Sequence, residues 1–259
     1  MAGPRRRGRA RLSLPLRRVT VEPGHGYDPD AWYWSIPAVG RLRSDGLTLD
    51  SGVTVLVGEN GSGKSTLVEA LAAAWRRRFT GAEVTHWGPV WTPDDEGRPG
   101  YTDLFRHLAL DAERPPPQGG CFLRAEAMHA VFDTVDTDAF ELRAFDGVGL
   151  HTRSHGEGFL AFLESRRTER GLYLLDEPEA ALSFRSCLAL LILLGDAVAA
   201  GSQVIMATHS PLLAAAPGAT VLELTEDGIM ATDWDELELV RDWREFLTAP
   251  RRWLGHLDG

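Results

Sequence analysis

Eight residues constrain this chain more than any others. "GENGSGKS", Gly58 to Ser65, stands between the apolar run "VTVLV" and the helix-periodic "STLVEALAAAWRRR". The pattern G-x-x-x-x-G-K-[ST], after a strand and before a helix, is a phosphate-cradling loop. Its glycines let the backbone fold so tightly that successive N–H groups point inward at phosphate oxygens, and the helix N-terminus adds partial positive charge. Gly58, Glu59, Asn60, Gly61, Ser62, Gly63, Lys64, Ser65 and Thr66 are therefore the candidate phosphate-binding set of a nucleotide such as ATP. Lys64 is expected to meet the β- and γ-phosphates, and the Ser65 hydroxyl to meet Mg2+.

Composition sharpens this assignment at one position. Lys64 is the only lysine of the chain, and the other 26 basic residues are arginine. A flat five-donor guanidinium cannot replace a compact charge on a thin stem inside a closed loop. The exception falls where the chemistry tells the two apart.

Two further apolar strands end in chemistry-bearing residues. "GLYLLDE" ends in Asp176 and Glu177, and adjacent strand residues point to opposite sides. One carboxylate can then face the metal and the other an attacking water; Asp176 is assigned to Mg2+ and Glu177 to polarising or deprotonating water. "VIMATHSP" brings His209 to the end of another strand. Ligands of open parallel sheets sit at carboxyl ends, so this imidazole is expected beside the same phosphates, sensing the last of them. "SHGEG", Ser154 to Gly158, is a second anion-binding corner at a helix start. One nucleotide cannot easily use two such corners of one subunit. Ser154, Gly156 and Glu157 are therefore expected to act in trans, in a head-to-tail homodimer formed on nucleotide binding.

The rest of the chain reads as strands alternating with helices, which implies an α/β fold with a mostly parallel sheet flanked by helices and an antiparallel N-terminal β part. "GLTLDSGVTVLVG" reads as two strands turning at Ser51-Gly52, "CFLRAE" as a buried strand, and "GATVLELTEDGIMATDW" as a hairpin through Asp227-Gly228. Helices are expected near "YTDLFRHLAL", over "GEGFLAFLESRRTER", over "FRSCLALLILLGDAVAAG" closed by Gly201, and from about Asp235 to Thr248. Residues 1–20 read as a basic, disordered extension, and residues 21–259 as one domain with an insert and signature approach over 80–150.

Charge and apolar runs exclude some classes. The first 21 residues carry seven arginines and no acid, against a net charge of −10 for the whole chain. This start suits a phosphate-backbone contact with nucleic acid, whereas the acidic remainder does not suit a body that coats DNA by charge alone. It lacks the apolar core of a secretory signal. The run "LALLILLG" is too short to cross a bilayer. Cys121 and Cys187 have no metal-ligand spacing and read as buried thiols of a cytoplasmic protein.

The order "GENGSGKST", "SHGEG", "LYLLDEPEAAL", "ATHSP" resembles the ABC-type ATPases over about residues 16–235. Within them it resembles most closely the SMC, Rad50 and RecF-like branch, and there the small stand-alone bacterial ATPases labelled AAA-family. The resemblance implies a P-loop NTPase fold, hydrolysis of ATP with Mg2+, and a protein partner of unknown identity. It also implies a Gln or acid at a strand end between the phosphate loop and the signature. Glu126, ending "CFLRAE", fits that metal-site role better than Gln118. The signature is of the S-x-G-E kind rather than LSGGQ, and Ser183 stands where the family has an aspartate after "DEPEAAL". An adenine-stacking aromatic would come from Tyr27, Trp32, Tyr33 or Trp34, for which core packing is the competing reading. Only 90 residues separate Lys64 from Ser154, which leaves no room for long coiled-coil arms. Three uses of the same engine are expected to compete: a soluble ATPase with a DNA-related or defence-related load, the ATP-binding subunit of a transporter, and a nucleotide sensor with little turnover.

Overall fold

In this computed structural model the described residues are 13–24, 26–79, 102–117 and 119–255. The arginine-rich residues 1–12, the first part of the expected insert (80–101) and Gln118 lie outside them. In chain order the elements are β1 (Leu16–Val21), α1 (Pro37–Asp45), β2 (Leu47–Thr48), β3 (Val53–Gly58), α2 (Lys64–Phe79), β4 (Leu108–Ala112), β5 (Gly119–Arg124) and α3 (Met128–Thr137). They continue with α4 (His155–Arg166), β6 (Gly171–Asp176), α5 (Phe184–Ala199), β7 (Gln203–Ala207), α6 (Pro211–Ala214), β8 (Thr220–Thr225), β9 (Gly228–Ala231), α7 (Glu238–Thr248) and α8 (Pro250–Leu254).

The strands form two sheets. The larger runs β5-β6-β7-β3-β8-β9, parallel throughout except for the β8–β9 hairpin. The smaller is antiparallel in the order β2-β1-β4. A parallel sheet is covered on both faces, so its strands must be continuously apolar rather than alternating. β6 and β7 are buried at every residue, and β3 at all but its last. One face packs against α1, α2 and the small sheet through Leu42, Leu67, Leu71, Trp75, Val19 and Leu110. The other packs against α3, α4 and α5 through Phe132, Phe159, Phe162, Leu190 and Leu194.

One polar side chain joins the two sheets. Gln203, fully buried at the start of β7, accepts from the Leu16 N–H and donates to the Leu16 carbonyl, each at 2.8 Å. The amide completes the pairing of a β1 residue as a neighbouring strand would.

Several expectations change here. The chain is already in the fold at Leu16, so the extension read over residues 1–20 is too long: residues 16–20 belong to the central strand of the small sheet. Arg17 and Arg18 stand side by side there, at an irregularity in the pairing with β4, and break the apolar alternation that would have signalled a strand. "GLTLD" and "VTVLVG" both form strands, but in different sheets, so they are not a hairpin. "YTDLFRHLAL" gives only a 3-10 turn, Leu104–His107, before β4, because β4 is needed to pair with β1. The segment after "CFLRAE" adds a helix not anticipated, α3, whose buried Met128, Val131, Phe132 and Val135 recur at helical spacing. Among the described residues no helix is long and apolar enough to cross a membrane.

Candidate active site

The loop between β3 and α2 owes its shape to glycine. Gly61 and Gly63 have φ of 83° and 96°, the left-handed region that side chains avoid. A Cβ on Gly63 would also stand 2.5 Å from Ile36 Cγ2. Inside the loop, Lys64 is 3% exposed, and its Nζ donates to the Gly58 and Glu59 carbonyls, each at 2.8 Å. Burial lowers its pKa, and the carboxylates of Glu177, Asp176, Glu179 and Glu59 oppose that shift. The ammonium is thus held by two backbone oxygens and, at 3.4 Å, the Ser62 hydroxyl, neutral partners that an incoming phosphate can replace with full negative charge.

Asp176 ends β6, in register with Ala207 of β7 on one side and Arg124 of β5 on the other. It is 2% exposed. Its Oδ2 accepts from Arg124 Nε at 2.8 Å, while its Oδ1 is buried with no hydrogen-bond partner. An unsatisfied buried carboxylate oxygen is the donor chemistry a hard divalent cation or its water takes. Asp176 and Ser65, the second residue of α2, therefore fit Mg2+.

Glu177 does not continue the strand pleat. Its φ of 49° and ψ of 51° are left-handed, and its N–H donates to the Ala207 carbonyl at 3.0 Å. Asp176 and Glu177 are separated by this turn rather than by strand alternation, which corrects the geometric argument made from the sequence. A non-glycine residue in this region is strained, and such strain collects at functional sites. The turn leaves the Glu177 carboxylate partly open, with its Oε1 3.5 Å from His209 Nε2. The backbone N–H of His209 donates to the carboxylate of Glu179, whose other oxygen is buried without a hydrogen-bond partner. Lys64, Asp176, Glu177 and His209 all stand at or just beyond the carboxyl ends of β3, β6 and β7, three adjacent strands.

Ser154, Gly156 and Glu157 are elsewhere. Ser154 caps α4, with its N–H and hydroxyl donating to Glu157 Oε2 at 3.0 and 2.6 Å. Those bonds hold the Glu157 carboxyl below the usual range. Both residues are exposed, and none of their hydrogen bonds reaches the phosphate loop. Gly156 lies so close to the turn after Glu177 that a Cβ would stand 2.8 Å from the Ala181 carbonyl. Ser183 caps α5, accepting from the Ser186 N–H at 3.2 Å, a task an aspartate also performs.

Glu126 is not brought to the cation site. It is exposed on a 3-10 turn, Ala125–Ala127, and Arg124 is the side chain from this segment that meets Asp176. The chain twists off the sheet right after β5, so the strand's last residue faces Asp176 and the acid two positions on turns to solvent. Of the aromatics, Tyr33 is buried and donates to Asp103 at 2.5 Å. Tyr27 and Trp34 pack together at 5.4 Å, with Arg43 over both rings. Packing against neighbouring side chains accounts for those three, whereas Trp32 is 51% exposed and meets the Tyr33 ring edge-on at 5.9 Å.

A cleft of about 560 Å³ opens beside Gly58–Ser62 and His209, and its far wall carries Glu223, Glu226, Glu238 and Asp242. Those four carboxylates disfavour phosphate near them. Another cleft, about 580 Å³ between Ala214–Val221 and Ala231–Trp234, contains none of the predicted site residues. Sequence reasoning missed Arg124, Glu69 and Glu179. Only Glu69 had a local signal, four residues after Ser65 and hence on the same helix face.

In sequence the chain is similar to known ATP-binding proteins. A family profile described as "AAA domain" matches residues 41–80, and one described as "AAA domain, putative AbiEii toxin, Type IV TA system" matches residues 158–215. "Putative ABC transporter ATP-binding protein SCO2324" of Streptomyces coelicolor is 30% identical over 238 residues, covering 83% of this chain and 40% of the relative. "Cytochrome c biogenesis ATP-binding export protein CcmA" of Gluconobacter oxydans is 34% identical over 177 residues, covering 66% of this chain and 76% of the relative. The chain spans about two fifths of the length of the Streptomyces relatives it matches. Among solved structures, cbiO1 of Clostridium perfringens, part of the ABC transporter complex cbiONQ, aligns over 93% of this chain and 98% of that one, with TM-score 0.49 and 16% identity.

Proposed function

The chain belongs to the ABC-type P-loop ATPases, and on that premise we propose that it binds ATP with Mg2+ at the Lys64–Asp176 site and hydrolyses it between two copies arranged head to tail. The observation that supports this most is the gathering of Lys64, Asp176, Glu177 and His209 at three adjacent strand ends. ATP phosphates take the place of the Gly58 and Glu59 carbonyls on the Lys64 ammonium, and the loop N–H groups share the remaining charge. Ser65 and Asp176 hold the metal, which when bound neutralises charge on the β- and γ-oxygens. Glu177 orients and polarises the attacking water, while His209, held through its backbone by Glu179, donates to the γ-phosphate. Ser154, Gly156 and Glu157 of a second copy close the pocket from above. Within the family we place the chain in the SMC/RecF-like branch, because its signature is S-x-G-E, and we expect it to act in the cytoplasm.

The test is the mass of Glu177→Gln by light scattering after gel filtration, with and without MgATP. A monomer that becomes a dimer only with MgATP supports the two-copy site. An unchanged mass overturns it.

The similarity to transporter ATP-binding proteins favours a second reading, in which the same engine is the ATP-binding subunit of a membrane transporter. It predicts that the protein co-purifies with an integral membrane protein from its own cells.

A further inference from the structure

Arg124 has no part in the mechanism above, yet it occupies the centre of the site. It is the last residue of β5, in register with Asp176. Its Nε donates to Asp176 Oδ2 at 2.8 Å and its Nη2 to Glu69 Oε2 at 3.1 Å. The two carboxylate side chains are 3% and 10% exposed, and Arg124 itself is 27% exposed. Burial works against the guanidinium charge, but Glu69 and Asp176 together hold its pKa above the ordinary arginine value. The carboxylates come from a strand and a helix, so the bridge needs separate donors in one rigid plane, which arginine has and lysine lacks.

Two facts give the bridge a direction. Glu69 follows Ser65 by four residues on α2, so both lie on one face of the helix that starts at Lys64. Asp176 has one oxygen taken by Arg124, and the other is buried with no hydrogen-bond partner. We propose that Arg124 is a positioning residue for the divalent cation that accompanies the nucleotide. It fixes Oδ2 of Asp176 to the phosphate-loop helix, so that Oδ1 is the donor left for the cation and keeps a set position relative to Ser65. This rests on the reading of the site as one for MgATP. The β5 end thereby acts on the metal through Asp176, although its acid, Glu126, does not reach the site.

Cation-dependent nucleotide binding separates this role from a merely structural one. The full chain and its Arg124→Lys and Glu69→Gln variants are titrated with a fluorescent ATP analogue, first in EDTA and then at rising Mg2+. Glu69→Gln leaves Arg124 its pair with Asp176 and so guards against failure to fold, which melting curves check. The expected result is nucleotide affinity in EDTA near that of the parent, with the Mg2+ concentration for half-maximal gain raised about 10-fold or more, as outer partners of metal ligands typically tune affinity. A lower melting temperature with an unchanged Mg2+ half-point would overturn the proposal, because Arg124 would then only hold α2 to the sheet. Equal loss of binding in EDTA and in Mg2+ also overturns it. If the parent chain binds no nucleotide under either condition, the fault lies in the reading of the site itself.

Discussion

His209 Nε2 lies 3.5 Å from Glu177 Oε1, although the two residues follow different strands of the sheet. Backbone bonds enforce the approach, since Glu177 N–H is tied to Ala207 and His209 N–H to Glu179. The pair is therefore set before any nucleotide arrives. Replacing Glu177 by Gln keeps the turn and removes the base, so phosphate release is expected to fall about 10²- to 10⁴-fold with nucleotide binding intact. Glu177→Gly removes the same base and also relieves the left-handed backbone, so it is expected to be inactive yet at least as stable as the parent. A Glu177→Gly protein that melts well below the parent would refute the claim of strain.

Lys64→Arg is expected to lose roughly 1.5–3 kcal/mol of ATP binding, about 10- to 100-fold in Kd, the worth of hydrogen bonds to a charged group. The ammonium sits between two loop carbonyls in a 3% exposed niche that does not admit a planar fork. Calorimetric titration with ATP measures the loss. Near-parent affinity in the arginine variant would mean that the chain's single lysine is not chosen for its shape.

What the sequence disclosed and what it hid differ by the range of the contacts involved. The phosphate loop, the strand into Asp176 and the strand toward His209 are local: an apolar run, then glycines or acids at fixed offsets. The β8–β9 hairpin is local too, and its pairing of Thr225 with Gly228 is where the Asp-Gly signal put it. β1 needed knowledge of β4, 87 or more residues on, and of Gln203, 187 residues on from Leu16. Arg124 looks like any surface arginine until β5 is laid beside β6, which alone puts its guanidinium on Asp176. Glu126, an acid in the same stretch, suits the metal role by residue type alone, but the 3-10 turn that follows β5 leaves it exposed.

Gln203→Leu tests the tie between the sheets. Leucine fills similar space but leaves the buried N–H and C=O of Leu16 without their partner, at about 1–3 kcal/mol for each unsatisfied group. The expected loss, on the order of 2–4 kcal/mol, would appear as a lower urea midpoint with an unchanged slope. A variant within about 0.5 kcal/mol of the parent, the scatter of ordinary surface changes, would mean that β1 is held by its strand partners alone.

Alkaline pH is expected to destabilise the fold through two buried acids. Burial pushes the Cys121 thiol up to about 12 and raises the Tyr173 phenol beyond its ordinary value. Between the unfolded and folded pKa values the native state binds more protons than the unfolded one, so stability falls as pH rises. The contribution is full below the unfolded thiol value of 9.0 and is lost progressively from there up to about 12. The slope is about 1.4 kcal/mol per pH unit for each group that titrates in this way. Urea unfolding at pH 8, 9 and 10 reads it directly. Cys121→Ala should flatten the decline between pH 9 and 10, and an equally steep decline in that variant would assign the effect to other groups.

Ser154 has a structural job that must be kept when its functional job is tested. Its hydroxyl caps α4 and engages Glu157, so Ser154→Ala alone costs about 1 kcal/mol of helix capping whatever the residue does for ATP. The double variant Ser154→Asp with Glu157→Gln avoids this. Aspartate is an equally good cap, glutamine can reach back to the cap as glutamate does, and the net charge is the same. Only the position of the negative charge changes, from the third residue of the helix to the corner where a γ-phosphate of a second copy is expected. The melting temperature should therefore stay near the parent value while MgATP-dependent dimerisation of the Glu177→Gln protein is lost. If that dimer forms as before, Ser154 does no more than begin a helix, and the head-to-tail arrangement loses its main support in this chain.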